Sequence, residues 1–182
     1  MIFLNKDTVT NETIDKDYAI EEVRMACKHF GDLYFYFTKV LVEEFGNEKT
    51  AEILKKVLFE RSEERAIAMR ERANENGDEL IADNIASITD VPFLGWVPEF
   101  EELHCPYGAS WLSRFEENPW FKEFASLYCD VTDTTVAEVF TGDTSHKITK
   151  NILWGDKICE RIYFHDDNIS QGKYTYGTRN CK

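Results

Sequence analysis

Three short stretches in the C-terminal half of the chain set a cysteine beside an acid or a histidine: His104-Cys105-Pro106, Tyr128-Cys129-Asp130-Val131-Thr132-Asp133 and Gly155-Asp156-Lys157-Ile158-Cys159-Glu160. A cysteine acts as nucleophile or metal ligand only as thiolate. It therefore needs a base, a cation or a helix N-terminus to lower a pKa that is otherwise about 8.5. Each stretch holds such a partner close by. Asp133 follows Cys129 by one helical turn and shares its helix face. A carboxylate on a buried face needs a partner, so Asp133 points to a site more strongly than a lone cysteine does. Further on, Cys159, Arg161, Tyr163 and His165 alternate with Ile158, Glu160, Ile162 and Phe164. In a strand that alternation puts the first four on one face.

Each of these residues also has a plainer reading. Cys105, at a strand end, fits a small packed hydrophobe as well as a reactive thiol. Cys129 stands at helical spacing with Phe121, Phe124, Ala125 and Tyr128, and free cysteine is among the most buried residue types. The face of Cys159 is either a site wall or the solvated side of a hairpin. His104 points away from Cys105 in a regular strand, so His146 and His165 compete for the role of base. Cys27 and His29 read as structural and Cys181 as incidental. Glu60, Glu63 and Glu64, with Arg61 and Arg65, read as a solvated helix face.

The elements that must position these groups follow from periodicity. Ile20, Val23, Cys27, Phe30, Tyr34, Phe37, Val40 and Leu41 recur at three and four residues, predicting an amphipathic helix over 17–45. Gly46-Asn47 ends it. Ala51, Leu54, Val57, Leu58, Arg61 and Ile67 lie along a second helix to about Asn74, and the two pack as an antiparallel hairpin. A short helix over 79–88, a loop over 89–98 and a strand over 100–105 follow. Helix returns over 107–115, and again from an Asn118 cap with Pro119 at the first position, continuing through Tyr128 toward Phe140. Alternating runs over 145–154 and 158–166 flank Gly155-Asp156-Lys157, a hairpin signal.

The fold class expected is α+β: long N-terminal helices packed with a small antiparallel sheet in a single domain over 1–182. Within it, 1–16 is an N-terminal arm, 17–90 helical, 95–166 the mixed part carrying the site, and 167–182 a polar tail. The site is expected between the sheet and the helix of Cys129 and Asp133. The chain has 182 residues, 34 of them acidic against 21 basic, for a net charge of -13. That balance argues against nucleic acid and anionic membrane surfaces. No apolar run approaches the ~20 residues needed to span a bilayer. The start is too short and acidic for a signal peptide, and five cysteines, an odd number, suit reduced thiols. A cytoplasmic protein is the expectation. Trp96 and Trp120, read as exposed, would suit a homodimer interface.

The ordered set Cys105-Pro106, Trp111, a helix with Cys129 and Asp133, a strand, Gly155-Asp156 and then Cys159-Glu160 resembles the bacterial L-2-amino-thiazoline-4-carboxylic acid hydrolase family. The likeness covers roughly the last two-fifths of the chain; the preceding helices match only in kind. Arg161 departs from it, standing where the family prefers an aromatic after the Cys-Glu pair, and a cation there alters which ligands fit. The resemblance implies a cofactor-free hydrolase that opens a small cyclic amidine or thiazoline at a C–N bond, giving a carbamoyl derivative of cysteine. On that reading Cys105 is the leading nucleophile and Cys159 the second. Asp133 holds the amidinium or orients a base, His165 shuttles the proton, and Arg161 anchors a carboxylate. Cys129, His104, Tyr163 and Trp111 complete the substrate contacts.

Two other readings stay open. Cys105, Cys129, Cys159 and a histidine could form a metal site, although no tight pair such as C-x₂-C is present; no metal is the expectation. Helices followed by a small antiparallel sheet also look like a non-catalytic ligand sensor of the four-vinyl-reductase type.

Overall fold

The helical spacing of the N-terminal half is realised as α1 (Lys16–Asn76), which is bent at Gly46. A computed structural model describes residues 13–85, 88, 92–96 and 105–165. Gly46 has φ 75° and ψ 169°, a combination essentially confined to residues without a Cβ. It divides α1 into a first arm (16–45) and a second arm (47–76). In an unbroken helix Cys27 and Arg61 would lie about 50 Å apart. Both instead act on the Tyr107 hydroxyl, so the arms fold back antiparallel. Asp15 caps the start by accepting from the Tyr18 N–H at 3.0 Å, and Gly77, left-handed at φ 78°, closes the end.

The two arms bury Ile20, Cys27, Phe35, Leu54, Leu58, Ala66 and Met69. Of these, Phe35, Leu54, Leu58, Ala66 and Met69 cluster with α3 (Phe121–Thr141), whose own buried positions include Phe121, Phe124, Val131, Val136 and Phe140. The Tyr34 hydroxyl donates to the Phe124 carbonyl at 3.0 Å, and Arg70 donates to the Val139 carbonyl at 2.7 Å. Between them sits α2 (Pro106–Leu112), with Cys105 at its N-cap and Pro106 at its first position. Trp111 of α2 is fully buried and donates its indole N–H to the Gly31 carbonyl at 3.0 Å. A Cβ on Gly31 would lie 2.2 Å from Ser110 Oγ, so a larger residue would have to turn that hydroxyl from the Tyr107 carbonyl to which it donates at 2.9 Å.

After the left-handed Gly142 the chain enters β1 (Thr144–Lys150), which pairs antiparallel with β2 (Glu160–His165). His146 stands opposite Tyr163 and Ile148 opposite Arg161, with an irregularity between Ile148 and Lys150. β1 buries His146 and Ile148 against α3. The architecture is α+β, a helical hairpin and shorter helices against a two-stranded sheet. No helix among the described residues is long and apolar enough to cross a membrane.

Several local expectations are corrected. The helix expected over 79–88 is a 3-10 turn, Ala82–Asn84, where the Asn84 side chain donates to the Glu79 carbonyl at 2.8 Å and competes with helical bonding. A second 3-10 turn, Phe93–Trp96, interrupts the expected loop. The strand over 100–105 lies outside the described residues apart from Cys105. α3 begins at Phe121 rather than at Pro119, because the Asn118 side chain donates back to the Arg114 carbonyl at 3.2 Å and caps nothing. The strand expected over 145–154 ends at Lys150: Asn151 accepts from the Leu153 N–H at 3.0 Å and starts the turn Ile152–Trp154, closed by Gly155 at φ 101°. Trp96 and Trp120 are half-buried. Trp96 packs on Tyr107, and Trp120 stacks on Phe35.

Candidate functional site

Four stretches deliver the site. The first is the N-terminus of α2, where Cys105 Sγ accepts from the Gly108 N–H at 3.4 Å. Gly108 faces Ile152: a Cβ there would lie 2.5 Å from Ile152 Cδ1 and 3.4 Å from Cys105 Sγ. Glycine thus draws the 152–154 turn, and Asn151 with it, up to the thiol. The second stretch is the face of α3 carrying Cys129 and Asp133. The third is Asn151, fully buried, whose Oδ1 accepts from the Cys159 thiol at 3.7 Å and whose amide also lies beside Cys129. The fourth is β2, where Arg161 reaches across to Asp133 with Nε at 2.7 Å and Nη2 at 2.5 Å from Oδ2.

Cys105, Cys129 and Cys159 therefore surround one ion pair. The Asp133 and Arg161 side chains remain 31% and 26% exposed, which leaves the pair reachable by a small ligand. Burial pushes the Cys105 thiol up to about 11, with Cys159 and Asp133 adding to the push and the Gly108 N–H and Arg161 opposing it. Burial raises Cys129 still further, again helped by Asp133. Burial alone would lower Arg161, but the charge and hydrogen bonds of Asp133 hold it above the usual guanidinium range. All four described cysteines, Cys27 included, are free thiols.

The imidazole of the site is His146, not His165. His146 is buried on β1, with Nδ1 3.1 Å from Thr134 Oγ1 and Nε2 3.9 Å from Asp133 Oδ2. That Nε2 has no hydrogen-bond partner among the described residues. Burial holds the ring below its ordinary 6.5, Asp133 pulling it up and Arg161 pushing it down. His165 points to solvent, 80% exposed, 3.4 Å from Asp143. It shares a strand face with Arg161, but four residues of strand carry it about 13 Å along. Tyr163, between them, stays near the site: its ring lies 6.0 Å from that of His146, and burial and Asp133 raise its hydroxyl.

Trp111, expected to touch substrate, is a core residue 1% exposed. His104 and Cys181 lie outside the described residues. Cys27 is buried beside the Tyr107 hydroxyl and His29 is exposed, both away from the site. Asn151 is the residue that sequence reasoning missed. Its signal was an Asn three residues before Trp154-Gly155, the pattern of a capped short turn inside an apparent strand. Among the described residues, no group of three or more His, Cys, Asp or Glu side chains is placed to hold a metal ion.

An open cleft of about 410 Å³ adjoins the site. Lys55, Phe124, Leu127, Asp130, Ile148 and Trp154 line it together with His146, whose fully buried ring lies 3.9 Å from Asp133. Comparison of the chain with protein-family models, with curated proteins and with solved structures returns no match.

Proposed function

We propose that this protein hydrolyses a small cyclic amidine of the thiazoline type that carries a carboxylate, as its resemblance to the L-2-amino-thiazoline-4-carboxylic acid hydrolase family implies. The observation that carries this reading is the gathering of Cys105, Cys129 and Cys159 around the reachable Asp133–Arg161 pair. Such a pair complements a zwitterion: the guanidinium takes the substrate carboxylate and the Asp133 carboxylate takes the amidinium. A protonated amidinium carbon is electrophilic. Cys105 gives its proton to neutral His146 and its sulfur bonds to that carbon. The ring C–N bond breaks as nitrogen takes that proton back from His146. Water then displaces the thiol, its oxygen bonding to the carbon and one of its protons returning to the Cys105 sulfur, leaving a carbamoyl product and free Cys105.

The test is incubation with L-2-amino-thiazoline-4-carboxylate, followed by mass spectrometry for a product heavier by one water. Cys105→Ser is expected to lose at least about 1000-fold in turnover while its thermal midpoint stays near wild type. A folded, fully active Cys105→Ser removes that thiol from the mechanism, and absence of turnover in the wild-type protein removes the hydrolase. One observation favours a second reading, a binding domain without turnover: burial keeps Cys105 and Cys129 protonated at neutral pH. Saturable binding of the same compound with no product would identify that case.

A further inference from the structure

The first arm of α1 is apolar on two opposite sides. At about 100° per residue, its buried positions Ile20, Cys27, Gly31, Phe35 and Thr38 gather on one face. Tyr18, Met25, Leu33, Tyr36 and Val40 gather on the face directly opposite, each 48–58% exposed. The exposed Glu22 and His29 stand within this outer stripe, yet a run of five large apolar side chains on one solvent-facing helix side exceeds the scattered apolar residues of an ordinary surface. The outer stripe continues to Ile14 and broadens at Phe37, 74% and 62% exposed.

We propose that this stripe pairs with the same stripe of a second copy, antiparallel, about a two-fold axis crossing the arm at the level of residues 29–30. The sequence reads as its own complement about that point. Along one flank of the stripe run Glu21, Lys28, Asp32 and Lys39, alternating in sign. An antiparallel two-fold sets Glu21 against Lys39 of the second copy and Lys28 against its Asp32. The same operation lays Tyr18 over Val40 and Met25 over Leu33. A parallel two-fold would place this flank of the two copies on opposite sides of the seam, where Glu21, Lys28, Asp32 and Lys39 find no partners among themselves. The flank is already held in place: Lys28 and Arg114 both bind Asp32 at 2.6 Å, and the Arg114 guanidinium lies 4.7 Å from the Phe35 ring centre.

Seven half-exposed large side chains offer roughly 700 Å² per copy, close to the ~800 Å² per partner of a stable specific interface. The net charge of -13 makes an anionic lipid surface a poor occupant of the stripe.

Sedimentation velocity at about 50 μM, a concentration that reports micromolar affinity, tests the pairing. The wild-type protein is expected to sediment with the mass of two chains. Met25→Asp combined with Leu33→Asp puts charge into the seam and is expected to raise the dissociation constant at least about 100-fold, with helical circular dichroism unchanged. Lys39→Glu alone weakens the dimer about 10-fold, and Glu21→Lys added to it restores the dimer. A monomeric wild type, a dimer indifferent to the Met25 and Leu33 changes, or a charge swap without rescue each overturns the proposal.

Discussion

Around Cys105 the charges of Asp133 and Arg161 act in opposite directions, the carboxylate raising the thiol and the guanidinium lowering it. Removing either one therefore has a definite sign. Asp133→Asn lowers the Cys105 pKa, increases the thiolate fraction and speeds alkylation by iodoacetamide several-fold at pH near 8; Arg161→Gln slows it. Peptide mapping of the alkylated protein reads both outcomes, and equal rates in the two variants would show that the pair does not govern the thiol. Asp133→Asn also leaves the Arg161 guanidinium three-quarters buried without a counter-charge, an expected cost of about 1–3 kcal/mol in urea unfolding. The residue types and their proximity to one another in each motif were readable in advance, down to Asp133 one turn after Cys129. Asn151 was not, because its importance lies in touching two thiols from outside either motif.

For the elements, glycine decides two separate things. Gly46 breaks α1 at ψ 169°, outside the left-handed well, whereas Gly77 at φ 78° and ψ 22° sits inside it. L-residues visit the left-handed well at a cost of about 1 kcal/mol but are effectively barred from the first conformation. Gly46→Ala is therefore expected to lower stability by about 2–3 kcal/mol and Gly77→Ala by about 1 kcal/mol, measured by chemical denaturation. Equal costs would mean that the bend tolerates relaxation. The helical hairpin, α3 and the β1–β2 pairing were all legible, since 3.6-residue and two-residue periods are local properties. The ends of elements were not: Asn84, Asn118 and Asn151 each redirect their side chain to a neighbouring backbone group, and that choice overrides the period.

For the whole molecule, the consequence of burying His146 is a pH dependence. Asp130 and Asp133 on α3 and Arg161 and Tyr163 on β2 stand around the ring. Its pKa in the fold lies below the ordinary 6.5. The unfolded chain therefore takes up a proton first as pH falls. Stability is complete above about pH 6.5 and is lost progressively below it. His146→Gln is expected to flatten the thermal midpoint between about pH 7.5 and 5.5, compared with a wild type that falls across that range. A His146→Gln curve parallel to the wild type would assign the slope to other groups.

By itself the amino-acid sequence determined the fold class, the bend at Gly46, the shared face of Cys129 and Asp133, and the shared strand face of Arg161 and Tyr163. Each depends on spacing along a regular backbone, which neighbouring residues dictate. Only the tertiary structure decided that the three thiols meet at one ion pair, that His146 rather than His165 stands beside it, and that Trp111 belongs to the core. Those outcomes depend on which stretch of β2 lies across α3 and how closely Gly31 and Gly108 let α2 approach. Such distances are set by packing between residues far apart in the chain, and no local period encodes them.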